Sequence, residues 1–256
     1  MNSNKLDPHY LDMQKQVCAA NVIIALKKKI ELQIKDSHLH KNNEPEILKI
    51  GLGTGSTINH LIAALKTHSF NCPIEFYSTS KASSELAEKA KLVLKPMYEC
   101  SFLDICIDGA DAVDFNHNLL KGFGGALTKE KIAALLAKEL WILVDESKLT
   151  TKLSIDKIPV EIIPDSLGYV QKELLLKKIS SQQRIEKEFC PYLTDSGNWI
   201  IYLNASYSNI NLKDLAQIIK GITGVVEHGL FLDFPVTLFN GLPIQSVNNV
   251  FYQIDR

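Results

Sequence analysis

The stretch ILKIGLGTGST, residues 47–57, decides how this chain folds. Ile47–Ile50 is a short apolar run, and Ile58–Leu65 beyond it has helical character, so the glycines stand between a strand and a helix. Glycines let the backbone turn tightly and approach an anion, while free amides and the positive dipole end at a helix start favour phosphate. The hydroxyls of Thr54, Ser56 and Thr57 add neutral donors. A dinucleotide fingerprint fits poorly, because G-x-G-x-x-G would need its third glycine where Ser56 stands, and Tyr77 leads into Ser78-Thr79-Ser80 instead of an acidic residue. A Walker loop fails as well, since no lysine precedes Ser56 or Thr57. A compact monophosphate suits the loop better than a nucleotide.

Outward from this stretch, strand and helix alternate. Residues 11–34 read as a helix and 35–46 as an exposed loop with His38 and His40 solvated. Strands are expected at Ile74–Tyr77, Val93–Leu94, Leu103–Ile107 and Trp141–Val144, with helices over 81–91 and 129–139. Such alternation indicates an α/β fold with a parallel sheet, and in such sheets ligands sit beyond the carboxyl ends of the strands. After residue 155 the rhythm changes: a strand in IPVEIIP, helix 167–179, strand 198–204 and helix 212–221 describe a smaller α+β unit. The tail, with FPVTLFNG, reads as a strand and turn that rejoin the first domain. The expected division is 1–154 plus 227–256 for the larger domain and 155–226 for the smaller.

Composition excludes several classes. The 256 residues carry 28 basic and 29 acidic side chains, which leaves no basic footprint for nucleic acid. The longest apolar run, Cys18–Leu26, is short and contains Asn21, so no membrane span is expected. Five scattered cysteines without a CxxC spacing read as small buried hydrophobes in a reducing compartment, neither a disulfide framework nor a zinc site. With no signal-peptide pattern at the N-terminus, a cytoplasmic location is expected.

Two more strand ends carry chemistry. Asp108-Gly109-Ala110-Asp111 follows the apolar run LDICI, and its two carboxylates could bind sugar hydroxyls or assist proton transfer; turn chemistry alone accounts for them equally well. Lys121-Gly122-Phe123-Gly124-Gly125 precedes Thr128, a candidate N-cap, which places Glu130 in a first helical turn. The glycines suit a nest of amides for an oxyanion, with Lys121 beside them. Glu130 in isolation reads as simple dipole complementarity, and Lys148 as a solvated lysine.

In combination these segments resemble ribose-5-phosphate isomerase of the A type. The matching stretches are GLGTGST (51–57), DGAD (108–111), KGFGGALTKEKI (121–132), VDESK (144–148), PVEIIP (159–164), TDSGN (194–198) and GVVEHGLF (224–231). The resemblance implies a Rossmann-like catalytic domain with a smaller, ferredoxin-like α+β domain inserted near its C-terminus. It implies a homodimer or homotetramer, a sugar-phosphate substrate, and no metal or organic cofactor. Position by position, it makes Glu130 the base moving a proton between C1 and C2, with Asp108, Asp111 and Lys121 around the reacting carbons. Thr54, Gly55, Ser56, Thr57 and Lys148 match substrate-binding positions, as do Gly109 and Ala110 within DGAD and Gly122, Phe123 and Gly124 beside the substrate.

The chain departs from that pattern in places. Ala112 stands where the family has Glu, Phe123 where it has Gly, and Thr223 where it has Pro, while Tyr202 replaces a common acidic residue. An aromatic at 123 removes backbone freedom and either narrows the substrate site or turns its ring away. A phosphate-facing N-terminal lysine of the family corresponds to Lys15 or Gln14. His228 reads as a packing or interface histidine. The leading expectation is an isomerase. The competing ones are a phosphosugar sensor that has lost its chemistry, supported by Ala112 and Phe123, and a nicotinamide oxidoreductase, supported by the glycine loop alone.

Overall fold

The computed structural model describes residues 7–39, 47–186, 189–205 and 210–241. In chain order its strands are β1 (Leu48–Leu52), β2 (Ile74–Ser78), β3 (Leu94–Lys95), β4 (Leu103–Gly109), β5 (Ala112–Val113), β6 (Leu119–Leu120), β7 (Ala137–Val144), β8 (Ile158–Ile162), β9 (Ser180–Gln183), β10 (Trp199–Asn204), β11 (Val225–His228), β12 (Leu230–Phe231) and β13 (Val236–Asn240). The helices are α1 (Pro8–Leu39), α2 (Ser56–Lys66), α3 (Lys81–Lys89), α4 (Leu127–Leu136), α5 (Leu167–Leu176) and α6 (Leu212–Lys220). Among the described residues, no helix is long and apolar enough to cross a membrane.

The chain divides into two compact units. One takes the chain up to Gly109, Ala133–Leu149 and the stretch from Pro235; the other takes Ala110–Ile132 and Thr150–Phe234. The sequence reading assigned residues 110–132, 150–154 and 227–234 to the larger domain. All three fall in the second unit, the first and last because β5, β6 and β12 build a small antiparallel ribbon of their own, with Leu120 opposite both Ala112 and Leu230.

In the first unit the strands form a parallel sheet in the order β3-β2-β1-β4-β7-β13. The α/β reading stands, and so does the return of the tail strand, since β13 pairs with β7 from Val236–Leu140 to Asn240–Val144. From β1 the sheet grows one way through β2 and β3, and from β4 the other way through β7 and β13. Beyond the carboxyl ends of β1 and β4 lies the switch point at which such sheets bind ligands. Leu48, Ile50 and Leu52 of β1 are buried in a core shared with Cys18, Val22, Leu26 and Ile30, one per turn along α1.

Two elements run differently from the sequence reading. α1 continues through residues 35–39, which had the composition of a loop, because Ile34 extends the stripe begun at Cys18 and no proline intervenes before Pro45. His40 and the rest of the expected loop lie outside the described residues, and of His38 only the helical backbone is described. The helix expected over 129–139 gives way to β7 at Ala137. There Ala137, Glu139 and Leu140 pair with Leu103, Ile105 and Cys106, so sheet pairing overrides local helix propensity.

The second unit has the chain order β8-α5-β9-β10-α6-β11 and the antiparallel sheet order β11-β8-β10-β9. This split βαβ arrangement is the ferredoxin-like topology. Its core joins Val160 and Ile162, Val170 and Leu174, Ile201 and Leu203, and Leu215 and Ile219.

The cysteines correct one expectation. Cys18 and Cys106 are buried, but Cys72 and Cys100 are half-buried and Cys190 is exposed; all five are free thiols. Burial pushes the Cys18 thiol up to about 12, and its Sγ faces the carbonyls of Val144 and Phe239 at 3.3 Å each.

Candidate active site

In the first unit, Asp108 organises the loop after β1. Its side chain is buried, and its Oδ1 accepts hydrogen bonds from the N–H of Thr54 (3.1 Å) and of Gly109 (2.7 Å). Gly53 must be glycine, because a Cβ there would come within 1.8 Å of Asp108 Oδ1 and 2.6 Å of its Cβ. Gly55 is the cap of α2 at φ +114°, with open space around its missing Cβ. The first turn of α2 carries no acidic side chain and Gly55 supplies no side-chain cap, so amides at its start remain for an outside anion.

The Ser78–Ser80 cluster serves this loop from behind. Thr79 is fully buried with its hydroxyl 3.1 Å from that of Thr54. Ser80 caps α3 by accepting from the Ser83 N–H, and the Ser83 hydroxyl donates to the Gly53 carbonyl at 2.6 Å. Thr54 is thus held by Asp108 and Thr79, while the exposed Gly55 and Ser56 and the half-buried Thr57 form the accessible part of the loop. Lys148 ends a 3-10 turn, Glu146–Lys148, that follows β7, the strand beside β4. Of the two N-terminal candidates, Gln14 is buried and accepts from the Glu146 N–H (2.9 Å), whereas the Lys15 ammonium stands 3.9 Å from Asp145.

In the second unit, Lys121 and Glu130 form an ion pair at 3.3 Å with both side chains only 4% exposed. Each supplies the countercharge that burial of the other demands. Between them the chain makes a tight turn: the Gly125 N–H donates to the Gly122 carbonyl (3.0 Å), with Gly122 at φ +110° and Gly125 at φ +83°. Phe123 is not among the positive-φ residues, which is why this position tolerates a side chain. The Phe123 N–H donates to Asp111 Oδ2 at 2.9 Å.

Three of the four departures from the family pattern, Phe123, Tyr202 and Ala112, find packing partners. The Phe123 ring meets Tyr202 edge-on, with centroids 5.8 Å apart, and the Lys157 ammonium sits over both rings. The residue that replaces glycine therefore touches the residue that replaces the acid. Ala112, at the start of β5, packs on the core of the second unit.

Several contacts of this half were not legible in the sequence. Glu161 on β8 is buried and takes hydrogen bonds from Thr128 Oγ1 (2.5 Å), Thr194 Oγ1 (2.9 Å) and Asn198 Nδ2 (2.9 Å). It ties the TDSGN and PVEIIP stretches to the first turn of α4. Thr128 is accordingly no N-cap: α4 begins at Leu127, the Thr128 hydroxyl goes to Glu161, and Glu130 still falls in the first turn. Arg184 and Tyr192 bind the carbonyls of Phe123 (2.8 Å) and Gly124 (3.1 Å). Spacing along the chain signals none of these contacts.

His228 packs as expected. Its Nδ1 accepts from the Leu230 N–H and lies 3.2 Å from Lys131 Nζ, which also reaches Glu227 Oε1 (2.8 Å) and the carbonyls of His228 and Leu230. Burial, with the Lys131 charge, holds the imidazole pKa well below its usual range. Burial also pushes the Lys131 ammonium down to about 8 against the pull of Glu227. Glu227 is itself held low, because Lys131 and Lys220 outweigh its burial. Among the described residues, no group of three or more His, Cys, Asp or Glu side chains stands in a metal-holding arrangement.

A Rossmann-like parallel sheet in the first unit and a ferredoxin-like antiparallel sheet in the second define an α/β protein. Comparison with known proteins narrows the class. Residues 75–243 match the family described as ribose 5-phosphate isomerase A (phosphoriboisomerase A), and the chain belongs to that family. It is 39% identical to ribose-5-phosphate isomerase A 1 of Oceanobacillus iheyensis over 76% of this chain and 87% of that protein. Among solved structures, ribose 5-phosphate isomerase A from Methanocaldococcus jannaschii superposes with a TM-score of 0.72 at 31% identity, covering 89% of this chain and 94% of that one. A D-ribose-5-phosphate isomerase in complex with phospho-erythronic acid gives 0.74 at 29% identity, covering 90% and 95%.

Proposed function

We propose that this chain interconverts D-ribose 5-phosphate and D-ribulose 5-phosphate through an enediolate, in the non-oxidative pentose phosphate pathway. The buried Lys121–Glu130 pair beside the glycine turn carries this reading. Removing the proton at C2 of the open-chain aldose needs one carboxylate base and donors aimed at two oxygens. Glu130 takes that proton and returns it to C1. Lys121 and the amides of Gly122 and Gly124 face the charge that develops on the sugar oxygens, and Asp108 and Asp111 assist ring opening. The phosphate is assigned to Gly55, Ser56 and Thr57 with Lys148, a grip remote from the reacting carbons that orients them.

The sensor reading loses its support, because Ala112 and Phe123 both have packing roles and the named relatives are isomerases. We also infer a cytoplasmic homodimer or homotetramer. The free cysteines are in keeping with a reducing compartment, and the family resemblance with assembly; sedimentation velocity of the purified chain tests the latter.

The activity test follows ketose formation from ribose 5-phosphate without added metal or nicotinamide, in D2O. The expected result is ribulose 5-phosphate with solvent deuterium at C1. Ketose formation that depends on added NAD(H) would return the oxidoreductase to consideration, and sugar-phosphate binding without turnover would favour the sensor.

A further inference from the structure

The turn Gly122–Gly125 is held on its carbonyls. Arg184 Nη1 donates to the Phe123 carbonyl at 2.8 Å, and the Tyr192 hydroxyl donates to the Gly124 carbonyl at 3.1 Å. The two side chains brace each other, with the Arg184 guanidinium 3.6 Å above the Tyr192 ring. Their backbones are tied too, since the Tyr192 N–H donates to the Arg184 carbonyl and the Arg184 N–H to Ile200. A Cβ at Gly125 would come within 2.1 Å of the Tyr192 hydroxyl, so glycine at 125 is what admits this tyrosine.

A trans peptide points its N–H opposite to its carbonyl. Fixing the Phe123 carbonyl therefore fixes the direction of the Gly124 N–H. The neighbouring amides are already used: that of Phe123 by Asp111 and that of Gly125 by the Gly122 carbonyl. The N–H of Gly124, an exposed residue, has no partner among the described residues. The edge-on contact of Phe123 with Tyr202 adds a hold on the same peptide from the ring side.

We propose that Arg184 and Tyr192 are positioning residues for the isomerisation: by gripping the carbonyls of Phe123 and Gly124, they preset the Gly124 N–H as a donor to the enediolate oxygen. The proposal rests on the isomerase reading. An oxyanion donor acts by being in place before charge develops, and losing one costs about a hundredfold to a thousandfold in kcat. Loosening one costs less.

The test compares the full-length wild type with Arg184→Met, Arg184→Lys and Tyr192→Phe. For Arg184→Met, kcat should fall about tenfold to a hundredfold, below the loss of a whole donor, while KM stays within about threefold because the phosphate grip is untouched. Affinity for phospho-erythronic acid, whose carboxylate stands in for the enediolate oxygens, should fall in step with kcat, and affinity for inorganic phosphate should not change. Arg184→Lys should recover part of the loss, and Tyr192→Phe should show a smaller loss of the same kind. Should Arg184→Met fail to fold, Tyr192→Phe carries the test alone. Folded variants with wild-type kcat, or with parallel losses in phosphate affinity, overturn the proposal. A wild type that does not isomerise overturns the isomerase reading instead, and this inference with it.

Discussion

The chain has two glycine loops that look alike in sequence and are built in opposite ways. In GLGTGST, at 51–57, one carboxylate holds the backbone: Asp108 takes the Thr54 N–H, and beyond it Gly55 stands in open space at the start of α2. In KGFGG, at 121–125, side chains hold most of the turn: Leu127 packs on Gly122, Tyr192 on Gly125, Tyr202 on Phe123, and Arg184 holds a carbonyl, while Gly124 stays exposed. The first loop leaves its turn open at the start of α2, while the second has its carbonyls gripped by side chains. A glycine therefore means space for a neighbour at 53 and 125 but backbone freedom alone at 55.

The largest expected effect falls on the second loop's partner. Glu130→Gln should lower kcat by about a hundredfold to ten-thousandfold, the usual worth of a general base, with ligand binding largely preserved. Substantial retained turnover would remove Glu130 from its role.

Next comes the contrast between the glycines. Gly53→Ala drives a methyl into the Asp108 side chain and should unfold the loop, visible as a clear fall in Tm together with loss of activity. Gly55→Ala meets no neighbour and should cost about 1–3 kcal/mol of backbone strain from its glycine-only conformation. Equal losses for the two variants would erase the distinction drawn between the loops.

Glu161→Gln probes the scaffold under the second loop. The new amide cannot accept from Thr128, Thr194 and Asn198 as a carboxylate does, so denaturant melts should show about 1–3 kcal/mol lost. Wild-type stability would mean that Glu161 holds nothing together.

The smallest effect concerns acid. His228 resists protonation in the folded chain, so below its usual value of about 6.5 the unfolded chain binds a proton that the folded chain refuses. Stability should fall from there toward pH 4. Glu227, whose folded pKa is lowered, loses its contribution below its ordinary value of 4.5 and so adds to the fall. Lys131 and Lys220 face the same cluster, and their charge opposes uptake by His228. Melting curves of wild type and His228→Asn between pH 7 and 4 should converge as the pH drops. A constant gap would separate His228 from the acid response.

Much of the first unit was legible because its information is local. Strand, glycine turn and helix start occupy successive residues at 48–57, and an apolar stripe on α1 repeats every turn. Where the sequence reading ran short, at residues 35–39 and 137–140, the deciding partner lay elsewhere: the core beneath Ile34, and β4 alongside β7. The same holds at the site. Glu130, Lys121 and the two Asp positions sit in short motifs; Glu161 sits in PVEIIP, but its partners Thr128, Thr194 and Asn198 are far along the chain, and Arg184 and Tyr192 carry no local signature.

The sequence by itself determined the alternation of strands and helices and the glycine turn between β1 and α2, because periodicity and turn chemistry act over a few adjacent positions. Only the tertiary structure decided that Phe123 leans on Tyr202, that Glu161 braces α4, and that Arg184 and Tyr192 orient the glycine turn. Those contacts join residues 33 to 79 positions apart, and separations of that size are closed by sheet pairing and core packing, which no short window of residues records.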